Sequence, residues 1–133
     1  MNYKVFVRYL KSHEENKKTL TRLEAEINDF EYVMSGVSAV RYDVQPTHGN
    51  PSQKEQKRLE MIEKYNKMLK EYKTTLDCVV LIENLLNGMP EELKEMLTEI
   101  YVEGHTFSSV GREHGYSDHG LWKKLKRETE KYL

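Results

Sequence analysis

The chain has 133 residues, enough for one domain or for a small globular unit attached to an extended helical one, and too few for two large cores. Hydrophobic residues make up 38% and charged residues 32%, with three prolines and seven glycines, a balance typical of solvent-exposed helices. The formal net charge of -1 excludes a global positive field, so affinity for nucleic acid requires a local basic patch.

The single cysteine, Cys78, excludes an internal disulfide and a cysteine-based metal site. No apolar run approaches the roughly 20 residues that a membrane-spanning helix needs. Residues 1–10 lack the apolar core and cleavage site of a signal peptide. We therefore expect no membrane partner and a cytoplasmic location.

Apolar residues recur at steps of three and four in the first third of the chain, which places them on one stripe of a helix. The stripe consists of Leu20, Leu23, Ile27, Phe30 and Met34. This spacing predicts a helix from near Tyr3 to Ser35 or Gly36, and it is also typical of a coiled-coil seam. Glycines and prolines then interrupt the period, so we expect a loop or short extended connector over residues 35–51.

A second long helix is expected to begin at Ser52, which can cap it together with Glu55. Its apolar stripe consists of Ile62, Tyr65, Leu69, Tyr72, Leu76, Val79, Ile82, Leu85 and Leu86. Asn87 and Gly88 end the helix. Two amphipathic helices joined by a connector predict an antiparallel hairpin over residues 1–88, and because such a hairpin buries little apolar surface, we expect it to form a homo-oligomer.

Residues 89–133 are expected to form a second domain of three shorter helices. The first begins at Pro90, ends at Glu103 and Gly104, and buries one apolar face. That face consists of Leu93, Met96, Leu97 and Ile100. The predicted fold class is therefore all-α, a long antiparallel helical hairpin of coiled-coil character followed by a three-helix domain.

The last two helices have the spacing of a helix-turn-helix. Thr106 is expected to cap the first of them, and Ser117 the second. Between them, Gly115 can take the left-handed conformation of the turn, Gly111 allows close approach of the helices, and Tyr116 fills the corner. This motif predicts a nucleic-acid-binding domain.

The last helix combines an apolar face with a basic one. Leu121, Leu125 and Tyr132 lie at steps of four and seven and are expected to pack inward. The candidate DNA-binding residues are Ser117, His119, Gly120, Trp122, Lys123, Lys124, Lys126 and Arg127. The first turn of such a helix enters the major groove, so its side chains would face base edges and the cations further along would hold phosphates.

A wider pattern consists of Met89, Pro90, Ile100, Tyr101, Val102, Glu103, Gly104, Phe107, Val110, Gly111, Tyr116, Ser117, Leu121 and Leu125, with a connector over residues 40–46 followed by Gly49. Its last part resembles region four of bacterial sigma factors. The whole layout resembles the small late-transcription regulators of the ArpU and RinA type from phages and prophages of Gram-positive bacteria. Gly120 departs from the sigma pattern, which usually has Thr or another helix former there, and it weakens the helix by roughly 1 kcal/mol relative to Ala.

The resemblance implies an activator of phage late genes that binds double-stranded promoter DNA in the bacterial host and contacts the host RNA polymerase. Two alternatives are a small terminase subunit that binds DNA for packaging and a helical adaptor that binds a protein partner. We expect no enzyme and no cofactor. No metal site is expected either, because His105, His114 and His119 do not share a helical face and have no neighbouring pair of carboxylates.

Overall fold

The computed structural model describes the backbone of residues 1–43 and 51–133 and the side chains of residues 1–35 and 53–133. Within these residues the chain forms helices and no strand, which confirms the all-α prediction. The helices are α1 (Tyr3–Asp43), α2 (Pro51–Asn87), α3 (Glu91–Tyr101), α4 (Phe107–His114) and α5 (Asp118–Glu130). Among these helices, none has a stretch long and apolar enough to cross a membrane.

The first long helix extends further than the sequence predicted. The expected connector over residues 35–51 is wrong for residues 35–43, which are helical. One glycine inside a helix costs only about 1 kcal/mol relative to alanine, and no proline follows Gly36 until Pro46, so the helix continues. The rest of the connector, residues 44–50, lies outside the described residues.

α2 begins at Pro51, one residue before the predicted cap. Proline suits the first position of a helix because its missing N–H would have no partner there and its fixed φ is already helical. The side chain of Ser52, and with it the capping box, lies outside the described side chains. The end of α2 at Asn87, followed by Gly88, is as predicted.

The chain divides into two compact units whose boundary differs from the one expected after residue 88. Unit 1 consists of Met1–Lys17 and Asp77–Leu133, and unit 2 consists of Lys18–Leu76. The start of α1 and the end of α2 therefore belong with the three short helices. The physical reason is burial, because Phe6 and Leu10 of α1 are fully buried in the same apolar cluster as α3, α4 and α5.

Every helix contributes to the core of unit 1. Its most buried members are Phe6, Leu10, Ile82, Met96, Leu97, Val110, Leu121 and Leu125. A polar link adds to it, since the hydroxyl oxygens of Tyr3 and Tyr101 lie 2.8 Å apart and their rings meet edge to face. Burial, and then the hydrogen bond to Tyr101, raise the pKa of Tyr3 well above its usual range, so this phenol stays neutral.

Unit 2 is an antiparallel pair formed by the remainder of α1 and the first part of α2. The predicted apolar stripe of α1 is on the packed side of this helix. Its five residues, Leu20, Leu23, Ile27, Phe30 and Met34, are buried or half-buried. Phe30 stacks on Tyr65 with ring centroids 5.9 Å apart, and Arg22 lies 3.9 Å from Glu71. These two contacts show that the helices run antiparallel: from Arg22 to Phe30 the residue number rises along α1, and from Glu71 to Tyr65 it falls along α2.

The packed face of α2 differs in part from the predicted stripe. Its half-buried residues in unit 2 are Met61, Tyr65, Met68, Tyr72, Thr75 and Leu76. Ile62 and Leu69, expected on this face, are 37% and 38% exposed. Adjacent apolar positions such as Met61 and Ile62 both fit a three-four spacing, so the pattern alone could not separate them. Together with Leu59, these residues leave apolar side chains exposed along one flank of α2.

His13 is a buried histidine inside unit 1. Its Nε2 lies 3.8 Å from Glu83 Oε1, and its Nδ1 has no hydrogen-bond partner among the described residues. Burial, and then the positive charge of Lys17, lower the pKa of His13 below its ordinary value of 6.5. The folded state therefore favours the neutral imidazole.

We expect acid to destabilise unit 1 through His13. The unfolded chain binds a proton at this imidazole more readily than the folded chain does. The free energy of unfolding should therefore fall as pH decreases below about 6.5, and the loss should stop growing below the folded-state pKa. Between about pH 7.5 and pH 5.5, the free energy of unfolding measured in urea should fall less in His13→Gln than in the wild type.

His105→Gln removes a histidine whose side chain is 54% exposed and serves as the comparison variant for the loss of a histidine at the surface. Equal acid losses in the wild type and in His13→Gln would rule out this role for His13.

Candidate nucleic-acid interface

The turn between α4 and α5 has the predicted helix-turn-helix conformation. Gly115 has a φ of 83°, in the left-handed region that favours glycine, and donates its N–H to the carbonyl of Gly111. Tyr116 donates its N–H to the same carbonyl at 2.6 Å. The chain then becomes extended at Ser117 and enters α5. These bonds fix the direction in which α5 leaves the corner.

Gly111 is buried where α4 meets the turn. A Cβ added at this position would lie 2.5 Å from the carbonyl oxygen of Tyr116 and 3.7 Å from the side chain of Leu121. The first distance is too short for any side chain, and the contacted atom belongs to the backbone. The close approach predicted from this glycine is therefore confirmed.

Both predicted caps are present. The Thr106 hydroxyl accepts a hydrogen bond from the N–H of Ser109, and the Ser117 hydroxyl accepts one from the N–H of Gly120, each at 3.1 Å. A Cβ at Gly120 would lie 2.9 Å from the Ser117 hydroxyl oxygen. In this conformation of Ser117, a side chain at residue 120 would require the hydroxyl to shift. Ser117 and Gly120 shape the start of α5.

Asp118 is an acid at the start of the basic helix. Its Oδ2 accepts a hydrogen bond from the hydroxyl of Ser108 at 2.7 Å, which ties the first turn of α4 to the first turn of α5. A negative charge in the first turn is also favoured by the helix dipole. Nothing in the sequence spacing indicated the bond to Ser108.

Five of the predicted DNA-binding residues form an outward face of α5. His119, Trp122, Lys123, Lys126 and Arg127 are exposed, and the Arg127 side chain is 73% exposed. The rings of His119 and Trp122 are stacked, with centroids 6.4 Å apart, and the Lys126 ammonium lies 5.4 Å from the Trp122 ring centroid. We call these five side chains the α5 face.

Lys124 does not belong to the α5 face. It is half-buried, donates a hydrogen bond to the Tyr116 hydroxyl, and places its ammonium 4.4 Å from the centroid of that ring. The hydrogen bond raises the pKa of Lys124, so the charge is present but engaged. Successive helical residues point about 100° apart, and this rotation directs Lys124 toward Tyr116 while Lys123 is exposed.

The inward face of α5 is largely as predicted. Leu121 and Leu125 are fully buried, whereas Tyr132, also expected inward, is 39% exposed. α5 ends at Glu130, so Tyr132 lies beyond the helical period, and the fully buried Thr129 occupies the last inward position of the helix.

The structure gives His114 two acidic neighbours that sequence spacing did not indicate. One ligand atom each from Glu99, Glu113 and His114 lies within 4.8 Å of the others. Glu99 comes from α3, which is why spacing along α4 could not place it there. His114 Nε2 lies 3.5 Å from Glu99 Oε2, an ion-pair distance for a protonated imidazole. These three side chains carry no further observation that points to a metal, so we assign no metal site.

A groove runs between the first turns of α1 and the α5 face within unit 1. Its lining includes Tyr3, Lys4, Lys11, Tyr101, Trp122 and Lys126. Lys4, Arg8 and Lys11 were not among the residues predicted from the sequence to bind DNA. A signal was present, since residues 1–13 contain these three cations and no acid.

Three acidic side chains of α3, and Glu103 after it, line a different groove of unit 1. A separate groove is lined by Glu91, Lys94, Glu95, Thr98, Glu99 and Glu103, and none of these residues lines the groove beside the α5 face. None of these four carboxylates lines the basic groove.

Comparison with known proteins gives no relative for this chain: no protein-family model, no curated protein and no solved structure matches it. The resemblance to the ArpU and RinA type therefore stays a prediction from the residues quoted above, and the function proposed below is inferred from the geometry of unit 1.

Proposed function

We propose that this chain is a DNA-binding transcription regulator that places the start of α5 in the major groove of duplex DNA. The observation that carries the proposal is the α5 face, an outward group of three cations and two aromatic rings beside a capped helix-turn-helix corner. The chain has a net charge of -1, so this local concentration of cations supplies the attraction that phosphate needs.

The α5 face divides into two kinds of contact. His119 and Trp122 lie in the first turns of α5, the part of a recognition helix that meets base edges. Lys123, Lys126 and Arg127 follow and suit phosphate oxygens, through charge-assisted hydrogen bonds that position the protein on the duplex. Activation of phage late genes with the host RNA polymerase, in the cytoplasm of a bacterial host, is the role that the sequence resemblance adds to this proposal.

The salt dependence of DNA binding tests the proposal. The full chain should bind a fluorescent mixed-sequence duplex, and the slope of log K against log salt should fall by about 0.9 for each phosphate contact removed. The double variant Lys123→Ala, Arg127→Ala should therefore bind more weakly and with a lower slope. Fluorescence anisotropy between about 50 and 200 mM salt measures both quantities.

Lys123→Ala and Lys124→Ala form a matched pair, because each removes one positive charge from α5 and the Lys124 ammonium is engaged with Tyr116. The slope for Lys123→Ala should fall, and the slope for Lys124→Ala should stay close to that of the wild type. An unchanged slope in the double variant, or a slope lowered as much by Lys124→Ala as by Lys123→Ala, would contradict the assigned face.

We also propose self-association through unit 2. The supporting observation is the exposed apolar flank of α2, where Leu59, Ile62 and Leu69 are 59%, 37% and 38% exposed. Light scattering measures the number of copies in the oligomer. A dimer would favour the transcription regulator, and a larger ring that binds DNA would favour a small terminase subunit. An adaptor that binds only protein partners would show no affinity for duplex DNA even at low salt.

A further inference from the structure

The first turns of α1 carry a basic stripe. Lys4, Arg8 and Lys11 recur at steps of four and three, which places them on one side of the helix. All three are exposed. Among the described residues no carboxylate pairs with any of them, and the sequence has no acid before Glu14. We call these three residues the α1 stripe.

Packing within unit 1 holds the α1 stripe in a fixed position. Phe6 and Leu10, on the other side of the same turns, are fully buried in the core that also contains the inward face of α5. The hydrogen bond between Tyr3 and Tyr101 adds a second attachment. The stripe therefore belongs to the same compact unit as α5.

The α1 stripe and the α5 face meet in one groove. Lys4 and Lys11 line it from α1, and Lys126 lines it from α5. The floor is aromatic: the Lys11 ammonium lies 5.8 Å from the Tyr101 ring centroid, and Lys126 has the corresponding contact with Trp122. Two acid-free segments from distant parts of the sequence, residues 1–13 and 119–127, thus fold into one positive surface.

We propose that the α1 stripe binds the phosphate backbone of the same duplex whose major groove receives α5. This inference rests on the proposed function and extends it, because it gives the duplex a second anchor on a different helix. Ammonium and guanidinium groups donate charge-assisted hydrogen bonds to phosphate oxygens. The aromatic floor suits the apolar faces of the neighbouring sugars. Backbone contacts of this kind add affinity and orientation without reading sequence.

The test compares two triple variants of the full chain that remove equal charge. Lys4→Gln, Arg8→Gln, Lys11→Gln removes the α1 stripe, and Lys67→Gln, Lys70→Gln, Lys73→Gln removes three exposed lysines of α2 in unit 2. All six positions are exposed, so both variants should unfold at the temperature of the wild type. Anisotropy with a labelled duplex should show a weaker complex for the stripe variant and a salt slope lower by up to about 0.9 per removed cation.

The α2 variant should bind as the wild type does, and the base preference of the stripe variant should be unchanged. Equal effects of the two triple variants, or a stripe variant that binds duplex DNA like the wild type, would overturn the inference. A stripe variant that loses single-stranded DNA but keeps the duplex would also overturn it.

The two proposals can fail separately. If the wild type does not bind duplex DNA at low salt, the proposed function fails and this inference fails with it. If the wild type binds, and Lys123→Ala, Arg127→Ala weakens it while the stripe variant does not, only the inference about α1 is overturned.

Discussion

Phe6→Ala is expected to lower the free energy of unfolding of unit 1 by about 3–5 kcal/mol, the usual cost of truncating a fully buried phenylalanine. Phe6 lies near the start of α1, far in sequence from α5, yet both contribute to one apolar cluster. Because a domain of this size is stable by only about 5–15 kcal/mol, the loss should remove much of the stability of unit 1.

Urea unfolding followed by tryptophan fluorescence measures this effect, since Trp122, the single tryptophan, lies on α5. Tyr32→Ala is the control, because it truncates another aromatic residue of α1 that is 81% exposed and should change stability by less than about 0.5 kcal/mol. If Phe6→Ala does not change the urea concentration at which the tryptophan fluorescence changes, the start of α1 is not part of this core.

Gly111→Ala is expected to destabilise unit 1 by up to about 2 kcal/mol. A buried overlap costs about 1–3 kcal/mol, and here the added Cβ would meet the Tyr116 carbonyl oxygen, a backbone atom that cannot rotate away. Alanine would otherwise gain about 1 kcal/mol over glycine in a helix, so the overlap outweighs the gain. The turn must open, and DNA affinity should fall because the direction of α5 changes with it.

Arg112→Ala, the next position on α4, is exposed and serves as the control for stability. The same urea experiment compares the two variants. At an open helical site, alanine in place of glycine would raise the free energy of unfolding. Such a rise in Gly111→Ala would contradict the close contact between residue 111 and the Tyr116 carbonyl.

Local signals predicted the helix-turn-helix well. Thr106 and Ser117 cap their helices and Gly115 takes the left-handed conformation, because each of these preferences depends on a few neighbouring backbone atoms. The stripe of α3 was likewise predicted, since a short amphipathic helix with one apolar side has one way to face a core.

Features that depend on partners distant in sequence were not predicted. Phe6 and Leu10 belong to the core of the helix-turn-helix unit, although their position in the chain suggested a separate hairpin. Periodicity showed that α1 has an apolar side but did not show which helices cover it.

In the candidate site too, the features that depend on residues distant in sequence were not predicted. A run of basic residues does not distinguish Lys123, which is exposed, from Lys124, which Tyr116 engages from the corner. The position of Lys4 and Lys11 beside Trp122 likewise follows from the packing of α1 against α3 and α5, and no motif in the sequence describes that packing.

The most direct test of DNA binding by the α5 face is an NMR titration of the isotope-labelled full chain with a mixed-sequence duplex of about two helical turns, roughly 20 base pairs. We predict that the largest changes in amide chemical shift occur in residues 119–127 and that residues 53–76 of unit 2 change little. Changes confined to unit 2, or no changes at low salt, would contradict the assignment of this helix to DNA.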